Sequence, residues 1–404
     1  MIAGGTDTCP VRQGRFSRRR WRVLIVAAVG AVLLEGGARI QQYFDVGLFG
    51  GYEPRHLVDF YRFYRVNPAY RSKNIRINGA GFRRDEEVTR VKPANTIRVV
   101  LMGGSTVWGE DGPGPQGLID NRDTIAAHLE TALNERASAK GSPLRIEVIN
   151  AGVVGYMLFQ EETYFSTYIA DFQPDLVIGM DGHNDLDALQ LGLPLYRHRN
   201  DVIFDRELNR PLAFDVYRQL LRYGESKSLF IRRASDLVGG WLNRRALEAW
   251  RDRFAEPPSE ERIRAWLDAY AATVRRFDAS VRLAGAAMMF TVQLEVAGET
   301  RKPLTAIEVA MRDTDYAYYR WLHTTMRDRL IARMHTLRAD HGVWFEDVSD
   351  AFQDFRERAY LDYTHLTSPG ARAMAGRLAA LVEPQVFCEA AARPTTSCRA
   401  AATR

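Results

Sequence analysis

The sequence predicts an α/β chain: a three-layer α/β/α fold on a central parallel sheet, with a helical insertion and an N-terminal transmembrane helix. Three observations carry this expectation. Short apolar, β-branched runs at 97–102, 146–149 and 176–180 alternate with helical patterning, the rhythm of a parallel, doubly wound sheet. Each run breaks at a cluster of small and polar residues, which a parallel sheet gathers at one edge. A strongly apolar stretch near the start follows a basic flank.

The chain has 404 residues, 46% hydrophobic and 26% charged, enough to bury a large core. The net charge is only +5, and much of the excess sits at the amino end, so nucleic-acid binding is not expected. Residues 1–20 form a basic cytoplasmic segment, with Arg12, Arg15, Arg18, Arg19 and Arg20 against one acid, Asp7. The apolar run 21–34 is shorter than the roughly 20 residues that span a bilayer. Extended through Gly36, Gly37, Ala38 and Ile40 it reads as a signal anchor over 21–40, with Glu35 and Arg39 one turn apart and able to pair. The basic flank orients the rest outward, so the expected location is the inner (plasma) membrane, single-pass, with the following domain periplasmic. A cleaved signal peptide is the rival, because Gly36 and Ala38 are small, and Ser17-Arg18-Arg19 hints at twin-arginine export. The poor cleavage signature favours the uncleaved anchor.

Residues 41–96 are a juxtamembrane lead-in rich in aromatic and basic side chains, among them Tyr61, Phe63, Tyr64, Tyr70 and Arg71. They suit either the membrane interface or packing onto the next domain. Asn78-Gly79-Ala80-Gly81-Phe82 reads as a turn, with no chemistry assigned.

The main domain is expected over 97–387. Its first strand ends at Gly103-Gly104-Ser105, and a loop at 110–115 precedes a helix over 124–136. A strand at 145–149 leads into Asn150-Ala151-Gly152-Val153-Val154-Gly155-Tyr156, followed by a helix over 160–171. Pro174-Asp175 announces the third strand, which ends at Gly182-His183-Asn184-Asp185. Residues 188–285 read as a helical insertion or cap, with helices at 220–242 and 263–283 parted by Glu256-Pro257-Pro258-Ser259. The arginines over 232–253 read as a solvated helix face. A strand at 286–294 carries Gln293 and Glu295 at its carboxyl end, and Glu299, Arg301 and Lys302 mark a loop expected near the substrate. A helix over 311–337 and a last strand at 343–345 follow, and Thr367-Ser368-Pro369-Gly370 opens the terminal helix. In the 388–404 tail, Cys388 and Cys398 are candidates to pair in an oxidising compartment, and Cys9 lies on the other side.

The three strand-end clusters, with Asp362-Tyr363-Thr364-His365-Leu366 just before the terminal helix, hold the parts of an acyl-transfer site. The Ser105 hydroxyl is a weak nucleophile until a base takes its proton, and His365 can be that base. Asp362, three residues before it, can orient the imidazole. An oxyanion needs donors, and the Ser105 backbone N–H, the Gly155 backbone N–H and the Asn184 amide are the candidates. The order Ser105, Gly155, Asn184, His365, with Asp362 ahead of the histidine, resembles the SGNH/GDSL hydrolase superfamily over roughly residues 97–384. The resemblance implies a flavodoxin-like fold and an esterase: Ser105 the nucleophile, Gly155 and Asn184 the oxyanion donors, His365 the base, Asp362 its orienter. One departure stands out. The block from which the family takes its name, Gly-Asp-Ser-Leu, is here Gly103-Gly104-Ser105-Thr106.

Neighbouring readings fit less well. Val107 stands where an α/β-hydrolase elbow wants its second glycine, and the turn has no P-loop lysine. Asp181, His183 and Asp185 invite a metal reading with an incomplete ligand set, so no metal and no cofactor is expected. Asp185 and Asp187 also read as helix N-terminal acids, and Asp347 and Asp350 as weaker triad acids than Asp362. The expected partner is an ester, an O-acylated glycan, a lipid or a small ester. Two other functions stay open: a polysaccharide O-acyltransferase using the same triad, and a non-catalytic envelope scaffold. Nothing in the sequence selects an oligomeric state.

Overall fold

A computed structural model describes residues 18–46, 55–111, 118–190, 257–299, 301–314 and 320–391, with scattered positions between 224 and 241. The chain forms two compact units, residues 1–50 with 210–247, and residues 51–209 with 248–404.

In the first unit, helix α1 (Arg18–Val46) contains the apolar stretch Trp21–Ile40, of mean hydropathy 2.0 and only 6% buried. Among the described residues it is the one helix long and apolar enough to cross a membrane. Glu35 and Arg39 pair one turn apart at 2.8 Å. The Glu35 carboxylate also accepts hydrogen bonds from Ser228 Oγ (2.8 Å) and from the backbone N–H of Leu229 (3.1 Å) and Phe230 (3.0 Å). Ser228 Oγ in turn accepts from Ile231 N, so serine and glutamate together cap a helical turn.

In the second unit, a small hairpin of β1 (His56–Asp59) and β2 (Phe63–Val66) precedes a five-stranded parallel sheet. Its strands are β3 (Thr96–Gly103), β4 (Arg145–Asn150), β5 (Leu176–Asp181), β6 (Ala287–Val292) and β7 (Trp344–Phe345), in the order β4-β3-β5-β6-β7. This is the flavodoxin-like order, with β3 at the switch point between β4 and β5. Both faces are covered, which is why the strands read as continuous apolar runs. Val100 and Met102 face one layer, which includes α4 (Leu158–Thr167) and the helix Glu260–Leu283. Val99 and Leu101 face the other, formed by α3 (Ile125–Ala139) and the C-terminal helix Ser368–Ala391. The one guanidinium inside β3, Arg98, is neutralised by Glu147 on β4 at 2.6 Å.

The second half differs from expectation in detail. The helix assigned to the tail of the insertion spans Glu260–Leu283 and belongs to the sheet layer as the crossover between β5 and β6. Its stripe of Ile263, Trp266, Tyr270, Val274, Phe277 and Val281 is buried on that layer, so it is no cap. Most of the remaining insertion, residues 191–223 and 242–256, lies outside the described residues. The stretch expected as one helix over 311–337 comprises Ala306–Thr314, a π-helical turn Leu322–Met326 and Arg327–His341, with 315–319 not described. The lead-in aromatics divide: Tyr64, Tyr70 and Phe82 pack on the core, whereas Phe60 is 94% exposed.

Candidate active site

The site sits where β3 ends, at the switch point. A Cβ on Gly103 would stand 2.6 Å from the Met180 carbonyl oxygen, so only glycine lets β3 lie this close to β5 there. Ser105 opens the short helix α2 (Ser105–Trp108), which stops at Gly109 in the left-handed region, φ 86°. The block after β4 packs directly on this turn: a Cβ on Gly152 would meet Trp108 N at 2.3 Å. Asn150 fastens the two, donating to the Val107 carbonyl (3.0 Å) and accepting from Gly152 N (3.0 Å). Gly155 has φ 79° inside a turn closed by Tyr156 N to the Val153 carbonyl, a conformation that favours glycine.

The serine, histidine and aspartate converge from 260 residues apart. Ser105 Oγ lies 2.7 Å from His365 Nε2, and His365 Nδ1 lies 2.7 Å from Asp362 Oδ2. Asp362 Oδ1 accepts the backbone N–H groups of Thr364 (2.9 Å) and His365 (2.8 Å), an Asx-type turn that fixes carboxylate and imidazole together. Burial pushes the Asp362 carboxyl up, but the His365 ring and these two N–H groups outweigh it and hold it below the ordinary aspartate range.

No family model and no curated relative matches the chain. Solved structures do. An acetyl xylan esterase is 12% identical, with a TM-score of 0.36, over 71% of this chain and 100% of that one. The acetylxylan esterase Axe2 of Geobacillus stearothermophilus is 15% identical, with a TM-score of 0.37, over 71% and 93%. An α/β hydrolase from the metagenome of Lake Arreo, Spain, is 15% identical, with a TM-score of 0.35, over 71% and 95%. Likeness at this level leaves the chemistry to be read from the site's own residues.

Asn184 stands against the Ser105 turn. Its Nδ2 donates to the Tyr156 carbonyl at 2.7 Å, which uses one of the two amide hydrogens and fixes the other. A Cβ on Gly104 would come within 2.6 Å of that nitrogen. The lack of a side chain at 104 therefore makes room for the amide. The Thr106 hydroxyl donates to the Thr364 carbonyl at 3.3 Å and ties the Ser105 turn to the loop of His365. Gln293, from the end of β6, donates to Thr364 Oγ1 from the other side.

Several residues flagged in the sequence lie elsewhere. Asp347 binds Ser349, and Asp350 pairs with Arg377 at 2.8 Å, so neither approaches His365. Lys302, expected near substrate, is fully buried against Glu308 at 2.9 Å, and Glu299 accepts the Tyr360 hydroxyl at 2.9 Å. Glu308 also accepts the backbone N–H of Ala359 at 2.8 Å, so this pair braces the histidine loop from inside. Asp181 and Asp185 turn into a buried carboxyl group with Glu161, and Asp185 accepts Leu158 N at the start of α4. Cys9, Cys398 and the Cys388 side chain lie outside the described residues.

The lead-in holds a residue that the sequence did not single out. Arg83 is buried, and its guanidinium donates to the carbonyls of Trp108, Gly109 and Ile119 and to Asn121 Oδ1. Burial pulls it down to about 10, still charged at neutral pH. The stretch before β3 thus clamps the exit of the Ser105 turn.

Proposed function

We propose that the chain is a serine ester hydrolase of the SGNH type, working through Ser105, His365 and Asp362. The observation that carries this reading is the unbroken relay from Ser105 Oγ to His365 Nε2 and from His365 Nδ1 to Asp362, each link 2.7 Å. Asp362 accepts the Nδ1 proton, which leaves the Nε2 lone pair facing the serine hydroxyl. As Ser105 Oγ attacks the ester carbonyl, its proton passes to His365 Nε2, and the carbonyl π pair moves onto oxygen. That oxyanion is taken up by the Ser105 and Gly155 backbone N–H groups and the Asn184 amide. Collapse expels the alcohol with the proton from Nε2 and leaves acyl-Ser105. Water, deprotonated by the same nitrogen, repeats the sequence and releases the acid.

In this reading α1 is an uncleaved anchor in the plasma membrane and the catalytic unit works outside the cytoplasm, on an acylated glycan, a lipid or a small ester. The basic residues ahead of the apolar stretch support that orientation. The test is turnover of p-nitrophenyl acetate and of a longer-chain ester by the full chain in detergent, beside Ser105→Ala. Turnover lost in the variant supports the reading. Absence of turnover together with no labelling of Ser105 by a fluorophosphonate overturns it. Labelling without turnover, followed by acyl delivery to a glycan hydroxyl, would replace water with a sugar as acceptor.

A further inference from the structure

We propose that His183, Glu295 and His323 bind one divalent transition-metal ion of the zinc class. The three come from three segments at the carboxyl edge of the sheet: His183 opens α5 (His183–Gln190) after β5, Glu295 follows β6, and His323 sits in the π-helical turn. They are 6%, 2% and 0% exposed. His183 Nδ1 lies 3.1 Å from Glu295 Oε1, and His323 Nδ1 lies 2.6 Å from Glu295 Oε2. All three ligand atoms fall within 4.8 Å of one another. Small side-chain adjustments bring donors so grouped to the roughly 2.0–2.2 Å of zinc–nitrogen and zinc–oxygen bonds.

Alignment favours an ion over a plain hydrogen-bonded cluster. His183 Nδ1 is buried and has no hydrogen bond of acceptable geometry, although a carboxylate oxygen is 3.1 Å away. The rings are stacked, with centroids 4.8 Å apart and planes at 25°. Behind them Asp187 faces both distal nitrogens, 3.9 Å from His183 Nε2 and 3.6 Å from His323 Nε2. A carboxylate on that side favours a proton on Nε2 and the lone pair on Nδ1, the sense in which outer-shell carboxylates act on ligating histidines. Two imidazoles and one carboxylate select zinc, cobalt or nickel over calcium or magnesium. The π-helical turn supplies the local geometry, as such turns often do at binding sites.

The ion would act by positioning. His183 immediately precedes Asn184. Val296, next to Glu295, donates its N–H to the Tyr363 carbonyl at 3.0 Å, inside the loop that carries Asp362 and His365. Tyr363 also lies against the His183 ring, with centroids 5.6 Å apart. One ion would fasten the oxyanion side of the site to the base side without touching the ester.

The test uses the untagged full chain in detergent, stripped with chelator and dialysed against Zn²⁺, with bound metal counted by elemental analysis. One equivalent per chain is expected, falling to background in Glu295→Gln and by about 10–100-fold in affinity in Asp187→Asn. Ser105→Ala should keep the full equivalent, so the metal count stands apart from the esterase reading. A wild-type chain that binds no zinc, or a folded Glu295→Gln chain that still binds one equivalent, overturns the proposal. Should Glu295→Gln fail to fold, cobalt in the wild-type chain decides. Intense visible bands of a four-coordinate N/O site support it, and weak six-coordinate bands or thiolate charge transfer sink it.

Discussion

Gly104 and the Asn184 amide are packed so closely that a Cβ on the glycine would stand 2.6 Å from Nδ2. Gly104→Ala should therefore push the amide away while leaving the serine and its base in place. Ester turnover is expected to fall by about tenfold to a hundredfold, less than the roughly 10²–10³-fold expected for Asn184→Ala. Fluorophosphonate labelling of Ser105, measured beside kcat, checks this. Wild-type kcat in the Gly104→Ala enzyme would remove Asn184 from the oxyanion site.

Asp362→Asn should keep the fold of its turn yet lose about 10⁴-fold in kcat, because the amide no longer selects the tautomer that presents the Nε2 lone pair to Ser105. A loss of about tenfold or less, with far-UV circular dichroism unchanged, would contradict the assigned relay.

Arg83→Met leaves three carbonyls, two of them in buried contacts and that of Gly109 in a part-buried one, without the guanidinium that satisfies them. A loss of about 3 kcal/mol or more in unfolding free energy is expected, with activity falling because the nucleophile turn loses its clamp. Denaturant titration of wild type and variant measures it.

Burial, then the charges of Asp181 and Asp185, push Glu161 well above its ordinary value of 4.5. A carboxyl raised on folding favours the native state fully below its unfolded value, and that contribution is lost as pH rises through the folded value. Wild type should therefore lose stability as pH climbs out of the ordinary carboxylate range. Glu161→Gln, which keeps the shape and carries no charge, should flatten that fall. Parallel curves of thermal midpoint against pH would count against it.

Much of this was legible because the signals are local. Each strand of the first half announces itself by a β-branched run, and each site block follows a strand end or precedes a helix start. Asp362 and His365 are readable as a pair because they stand three positions apart. What the sequence concealed depends on distant partners. Thr106 meets Thr364 across 258 residues, and Arg83 reaches carbonyls 25 to 36 residues on. Lys302 looks like any loop lysine until Glu308 is folded over it. The sequence offers Asp181 and Asp185 as neighbours of His183, whereas Glu295 and His323 are brought beside it only by the fold. The helix Glu260–Leu283 reads as insertion in the sequence because the polar stretch before it hides its role as a crossover.

The three hydrogen bonds on Glu35 bear on how the chain matures. A peptidase cut beside Gly36 or Ala38 would carry Glu35 away with the leader and strip the acceptor from Ser228, Leu229 and Phe230. Removing the amino-terminal helix would thus unmake part of the folded chain as well as release it, so secretion as a free enzyme would carry a folding penalty. The mature protein should retain residues 21–40, which intact mass spectrometry of the chain from membranes would register directly.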